Sequence, residues 1–234
     1  MASVAPKVPK RLLDDATEQL AEFFRVQGAA IAAHLEDATE ARAAARRARK
    51  TATLDEVFDQ QRWDRVLALE ILTIALSVSQ TAGRSVLKGL GIDPDEYDTE
   101  RTRAWLAAHA SGVASGINGT TRYAIADALA ADVSPAEIRT LFDSYAAERA
   151  PQIAQTEVTA SQGFGTHEAG RQSGKKLTKT WRTGKNPRAT HSRQNMQTVP
   201  LRGQFSNGAR WPGDSVLPAR ERARCNCTMT VNQA

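Results

Sequence analysis

At 234 residues with 41% hydrophobic content, the chain is long enough to bury a core and fits one or two domains. Aromatics are only 6% and alanine supplies much of the apolar fraction, a composition that favours long helices with modest cores and suits an assembly component. The formal charge of +5 is compatible with nucleic acid or an acidic partner, and equally with an ordinary solvated surface. The N-terminal "MASVAPKVPKRLLDDATEQL" has no apolar core of signal-peptide length. The longest apolar run, "VLALEILTIALSV", is interrupted by Glu70 and falls short of the ~18 residues of a membrane span. Two cysteines one residue apart cannot staple distant segments, so folding in a reducing cytoplasm is expected.

The first predicted element is a helix from about Lys10 to Lys50, with Leu13, Leu20, Phe23, Phe24, Ile31 and Leu35 on one apolar face. It ends in "EARAAARRARK", whose Arg42, Arg46, Arg47, Arg49 and Lys50 complement the negative end of the helix dipole. The same cations are candidates for contact with DNA or an acidic partner. "TLDE" at Thr53 to Glu56 has the form of a capping box and predicts a second long helix to about Leu90. That helix carries Trp63, Val66, Leu67, Ile71, Ile74 and Val78 for burial, and "GLGIDPDEYD" ends it.

A third helix starts near Thr99 or Glu100. Gly112, Gly116 and Gly119 lie inside it, each costing about 1 kcal/mol against alanine. They predict either a break there or another backbone packed closely against the helix. "SPAE" at Ser134 to Glu137 is a capping box with proline at the first helical position, opening a short helix to about Arg149. A fifth helix, "APQIAQTEVTASQGFGTHEAGRQSG", ends in glycines.

From Lys175 onward helical periodicity disappears, and "LTKTWRT" and "CTMTV" show the alternation of short strands. The expected fold is therefore α+β, mainly α. A helical body at residues 1–174 is followed by a small C-terminal α+β module with short strands at 175–234. So small a module has little core of its own and needs support from the helices or from a bound ion.

That module collects His191, Asp214, Cys225 and Cys227. Cys-x-Cys can place two thiolates on one metal, and His191 can supply a third ligand in the soft sulfur and imidazole set that zinc prefers. His167, Asp214 or water are candidates for the fourth position. The competing expectation is that both cysteines sit in or beside a C-terminal strand, where alternation points them to one face as small buried residues. A catalytic dithiol fits less well, because the usual redox spacing is Cys-x-x-Cys. His34 and His109 lie on separate helices without ligand spacing and read as ordinary polar-face residues. No phosphate loop, nucleophile elbow or paired catalytic carboxylates stand out, and Glu157 and Glu168 on the fifth helix make no convincing acid pair. The reading is that the chain is not an enzyme.

Several elements recur here in a recognisable order: Thr156 and Glu157, Trp181, Asn186 to Arg188, His191, Phe205, Pro212 to Asp214, and Cys225 with Cys227. Together they resemble the C-terminal region of the Mu F-like minor head proteins of tailed bacteriophages, over about a third of the chain. Two departures are visible: Thr190 precedes His191 with Ser192 after it, and "NMQT" stands where the family often reads Leu-Asp-Gly. The resemblance implies a minor capsid, or head morphogenesis, protein of the virion. Such a protein would sit in the capsid interior or at the portal vertex and act in procapsid assembly in the host cytoplasm. The implied partners are the portal protein and a major capsid or scaffolding protein, with non-specific double-stranded DNA as a further contact and no membrane. The alternative is a zinc-dependent nuclease or hydrolase built around His191, Cys225 and Cys227.

Overall fold

The computed structural model describes residues 3–44 and 53–233. Of the basic run, Arg46, Arg47, Arg49 and Lys50 lie outside the described residues, as does the side chain of Arg42. The fold is mainly α, with a small antiparallel sheet built largely from the C-terminal residues. In chain order the described elements are β1 (Ser3–Val4), α1 (Arg11–Ala44), α2 (Leu54–Val57), α3 (Gln60–Gly89), α4 (Glu100–Ala130), α5 (Pro135–Ser144), α6 (Ala150–Gln172), β2 (Leu177–Arg182), α7 (Ala189–Ser192), β3 (Thr198–Pro200), α8 (Ala219–Arg222) and β4 (Thr228–Gln233). They form two compact units, each assembled from discontinuous stretches: Met1–Thr17, Leu72–His109 and Gln152–Ala234 make one, Glu18–Ile71 and Ala110–Pro151 the other.

The second unit is all helical. Leu20, Phe24 and Ile31 of α1, Trp63, Leu67 and Ile71 of α3, and Ile138 and Phe142 of α5 are its buried apolar residues. Edge-to-face ring pairs join Phe23 to Trp63 and Phe24 to Tyr145, with centroids 5.9 and 5.8 Å apart. Gly28 is obligatory because a Cβ there would lie 2.3 Å from the Cβ of Phe142. A short polar chain crosses it: Gln27 donates to Asn118 at 3.1 Å, and Asn118 donates to Asp64 at 2.9 Å.

The expected second helix is interrupted. Glu56 accepts from the Thr53 N–H at 2.7 Å, but this cap serves the single turn of α2. The Asp59 carboxylate then accepts from the Arg62 N–H at 2.9 Å and starts α3 afresh. The interruption buries Val57 and Phe58. At its other end α3 closes in a Schellman motif, with the Ile92 N–H donating to Leu87 O at 3.0 Å and Gly91 at φ +74°. By length and composition alone α3 could cross a membrane. Its apolar residues, however, include Leu67, Ile71, Ala75, Val78, Ala82 and Val86, each buried, which is the signature of a core helix.

Helix α4 runs unbroken through its glycines, so the expected break is absent. Nor does a backbone pack against them: a Cβ at Gly112, Gly116 or Gly119 would have nothing within 4 Å among the described residues. The Ser134 capping box is present. The helix it opens does not stop near Arg149 but passes through a π-helical turn, Tyr145–Arg149, directly into α6. Pro151 has no N–H to offer the preceding turn, and the widened turn absorbs that loss. Arg149 lies 4.4 Å over the Tyr145 ring and donates to Thr121 and Thr120 at 3.2 and 3.0 Å.

The first unit holds the sheet, in the order β1-β4-β2-β3, all antiparallel. The long pairing is β2 with β4, Leu177 opposite Gln233 through Arg182 opposite Thr228. The two-residue β1 adds an edge, Val4 opposite Val231, that the sequence pattern did not announce. Helix α6 is buried almost all round from Val158 to Gly170. Its glycines permit that: a Cβ on Gly165 would lie 2.3 Å from Ser79 O, and one on Gly163 would lie 2.7 Å from Pro212 O. Trp105, Phe164 and Trp211 form one aromatic cluster with Leu106 and Met229. Trp181, Phe205, Leu217, Cys225 and Cys227 form another.

Candidate metal centre

His191 sits on the one-turn helix α7, which follows β2 and its loop. The cysteines sit on the segment between α8 and β4. Arg224 takes a left-handed φ of +55° and turns the chain, so that Cys225 and Cys227 point inward while Asn226 stays exposed. The competing expectation of two small buried residues beside a strand describes their burial correctly but omits what lies between them. The Nδ1 of His191 is 3.6 Å from the Cys225 sulfur and 3.5 Å from the Cys227 sulfur. The three ligand atoms lie within 4.8 Å of one another, and all three residues are buried.

Those distances bear on whether a metal fits. In a regular tetrahedron with Zn–S of about 2.3 Å and Zn–N of about 2.0 Å, an N···S edge is about 3.5 Å. The spacing between imidazole and thiols is therefore already that of a four-coordinate soft site. The group can hold a metal ion.

The surroundings fix each donor. Arg188 donates to the carbonyls of Glu221, at 3.5 Å, and Ala223, and the Thr190 hydroxyl donates to the Glu221 carboxylate at 2.7 Å. These contacts tie α7 to α8. They bring the same carboxylate oxygen to 3.4 Å from Nε2 of His191, the nitrogen facing away from the sulfurs. A carboxylate behind the histidine favours Nε2–H and leaves the Nδ1 lone pair for a metal. From α6, Thr159 donates to Cys225 O, Gln155 donates to the same carbonyl at 3.4 Å, and Thr156 accepts the Arg224 N–H at 3.0 Å. Trp181 presents an edge to His191, centroids 5.7 Å apart, and Phe205 packs on Trp181 at 5.0 Å.

The mutual influence of the two neighbouring thiols splits their acidities. Cys225 is pushed well above the ordinary thiol range by the neighbouring Cys227 and by burial. Cys227 is drawn well below that range, first by Cys225, then with help from His191 and the Gly184 N–H against the opposing effect of burial. Metal binding would displace whatever thiol protons remain on the pair.

The structure brings together His191, Cys225 and Cys227, and does not bring His167 or Asp214 to them; among the described residues no His, Asp or Glu supplies a fourth donor. Asp214 is instead committed to Arg210, Nε to Oδ2 at 2.9 Å and Nη2 to Oδ1 at 3.1 Å. His109 is not a polar-face residue. It is buried, and its Nε2 is 2.7 Å from the buried Glu157 carboxylate, a pair that no sequence spacing indicates. His34 is exposed, as expected. Glu221 was missed because "PARER" reads as a solvated charge run.

Of the residues that carry the resemblance, Thr156, Trp181, Arg188, His191, Phe205 and both cysteines converge on this one cluster. Glu157 and Asp214 belong to separate pairings. No family model, no curated protein and no solved structure matches the chain.

Proposed function

We propose that the chain is a structural component of a bacteriophage head, a minor capsid protein acting in procapsid assembly at the portal vertex. In this reading its C-terminal residues are closed by one zinc ion on His191, Cys225 and Cys227. The observation that carries the metal is the pair of N···S distances, 3.5 and 3.6 Å, in a buried His-Cys-Cys group. The resemblance carries the virion, and the convergence of its residues on one cluster supports a single selected arrangement. Its partners are then the portal protein and a major capsid or scaffolding protein, with non-specific duplex DNA a further contact.

A hydrolase built on the same three residues is the second reading, favoured by the absence of a fourth donor among the described titratable residues. Against it, His191, Cys225 and Cys227 are only 2–3% exposed, so a substrate has no route to an open coordination position. A closed site is structural; its remaining position takes water or a backbone carbonyl.

Two measurements test this. The purified protein is expected to contain one equivalent of zinc, lost in Cys227→Ser, and to show no nuclease activity. Nuclease activity abolished by His191→Ala would overturn the structural reading. Mass spectrometry of virions and procapsids is expected to find the chain, with co-purification on portal rings; its absence from both particles would sink the assignment to the head.

A further inference from the structure

A pocket of about 180 Å³ lies in the sheet-containing unit, away from the cysteine cluster, and three arginines open onto it. Arg101 comes from α4, Arg171 from α6, and Arg210 from the loop before Trp211. Their side chains are 55%, 43% and 38% exposed, so each can reach a ligand from solvent. The first two share one internal counter-ion, Glu168, itself 5% exposed. That neutralisation is loose: Arg101 Nε is 3.7 Å from Oε1, beyond hydrogen-bond distance, and Arg171 Nη1 is 3.3 Å from Oε2. Neither guanidinium has another hydrogen-bond acceptor among the described residues. Most of their N–H donors are therefore free.

Arg210 differs in being locked. Asp214 holds it through two hydrogen bonds, and it lies 4.3 Å over the Trp211 ring. It is a fixed positive wall, with Arg101 and Arg171 as movable ones. Three cations therefore face two carboxylates, both already committed. His167 adds no charge, because burial and then the neighbouring Lys179, Arg171 and Arg210 hold its pKa down to about 3. In the same walls the ring nitrogens His167 Nδ1 and Trp211 Nε1 have no hydrogen-bond partner.

The aromatic lining decides the ligand's shape. Trp105 stacks with Phe164 at 4.1 Å and with His109 at 5.1 Å. Trp211 carries Arg210 over its ring and meets the edges of Trp105 and Phe164, both at 5.4 Å. These rings are engaged with one another and with Arg210. What remains is room for a compact anion among guanidinium forks. A tetrahedral dianion with several acceptor oxygens uses the forks of Arg101 and Arg171 and the remaining N–H donors of Arg210 better than a single carboxylate, whose two oxygens one arginine already satisfies.

We propose that this pocket is a phosphoryl-binding site, in which Arg101, Arg171 and Arg210 clamp one phosphate group and Glu168 is the internal anion that the ligand displaces from Arg101 and Arg171. The phosphate can be free or part of a nucleic-acid backbone. The site is independent of the zinc cluster and of the virion assignment, and stands or falls without them.

Calorimetric titration with inorganic phosphate at constant ionic strength is the test, with acetate as the carboxylate control and a short DNA duplex as the second phosphate source. Saturable phosphate binding is expected, weakened at least tenfold in Arg101→Gln and in Arg171→Gln. Both positions are half exposed, so the fold survives their loss. Glu168→Gln is the discriminating variant: removing the internal competitor should tighten phosphate binding several-fold, which a merely structural ion pair would not do. The same pattern with duplex but not with free phosphate supports the site and identifies a backbone phosphate as its ligand. Acetate binding as well as phosphate, no binding of either phosphate source, or binding indifferent to all three substitutions would overturn the proposal.

Discussion

The two units bury different chemistry. In the all-helical unit the buried polar residues among those described are uncharged: Gln27, Asn118 and Thr121. In the sheet-containing unit the buried set includes His109, Glu157, His167, Glu168, Lys179, His191, Asp214 and both cysteines. Every buried ionisable side chain among the described residues belongs to that second set. The helical unit can close on apolar faces alone, because long helices bring large side chains into register every three or four residues. The other unit must seat short strands and one-turn helices, which supply few apolar contacts, and it compensates with paired charges and a His-Cys-Cys group. Such pairs orient a structure more than they stabilise it. Metal, pH and ligand should therefore act on one unit and leave the other almost untouched.

Metal removal is the largest lever. If zinc closes the cysteine cluster, the Cys227→Ser variant forfeits a binding contribution that reaches roughly 10 kcal/mol in small zinc domains. Amide exchange should accelerate across β2 and β4 while α1 and α5 keep their protection. Equal loss of protection in α1 would break the comparison. Phe24→Ala is the mirror experiment in the helical unit, where a fully buried ring sits among Phe23, Tyr145 and Arg149. About 3–5 kcal/mol should be lost on thermal or denaturant unfolding, with zinc content unchanged.

Acid sharpens the contrast at a slightly smaller scale. The pKa of His167 is held down from 6.5 to about 3, chiefly by burial. The folded state therefore resists protonation that the unfolded chain accepts. Its contribution is fully present above pH 6.5 and is lost progressively as the pH falls toward about 3, about 3 kcal/mol of it by pH 4. His167→Gln should flatten that part of the stability profile, read as chemical denaturation midpoints from pH 7 to pH 4. Lys179 works in the alkaline range. Burial brings its pKa from 10.5 down to about 8, so stability rises as the pH climbs through that interval. A profile unchanged by His167→Gln would show that the imidazole is not what acid attacks.

How much of this was legible depended on the range over which each feature is determined. The apolar faces of α1 and α3, the Ser134 cap, the strands around Trp181 and Met229, and the His191, Cys225, Cys227 grouping all follow from local spacing or rare residue types. The missed features depend on partners distant in the chain. Strand β1 exists because Val4 meets Val231, and no two-residue segment announces itself as a strand. Glu221 matters only because Thr190 holds its carboxylate behind His191. The break before Asp59 followed from burying Phe58, which overrode a capping signal that was itself real. Likewise, the Glu157 pairing with His109 needs two helices brought side by side before either residue has a role.

The α4 glycines supply the smallest test and the one that sequence reasoning most misjudged. Three glycines in a helix suggested a break or a close backbone neighbour, since either would justify their cost. The helix is continuous, and a methyl group at Gly112, Gly116 or Gly119 would meet nothing within 4 Å among the described residues. Alanine at each position should then stabilise the helix by about 0.5–1 kcal/mol, by restricting the unfolded chain and improving propensity. Gly116→Ala, measured by thermal unfolding of the isolated protein, should raise the midpoint by a few degrees. A lowered midpoint would mean that the face is not open. Stabilisation in the free chain would show that these glycines cost the helical unit stability, which its own apolar core must offset without help from metal or buried charge.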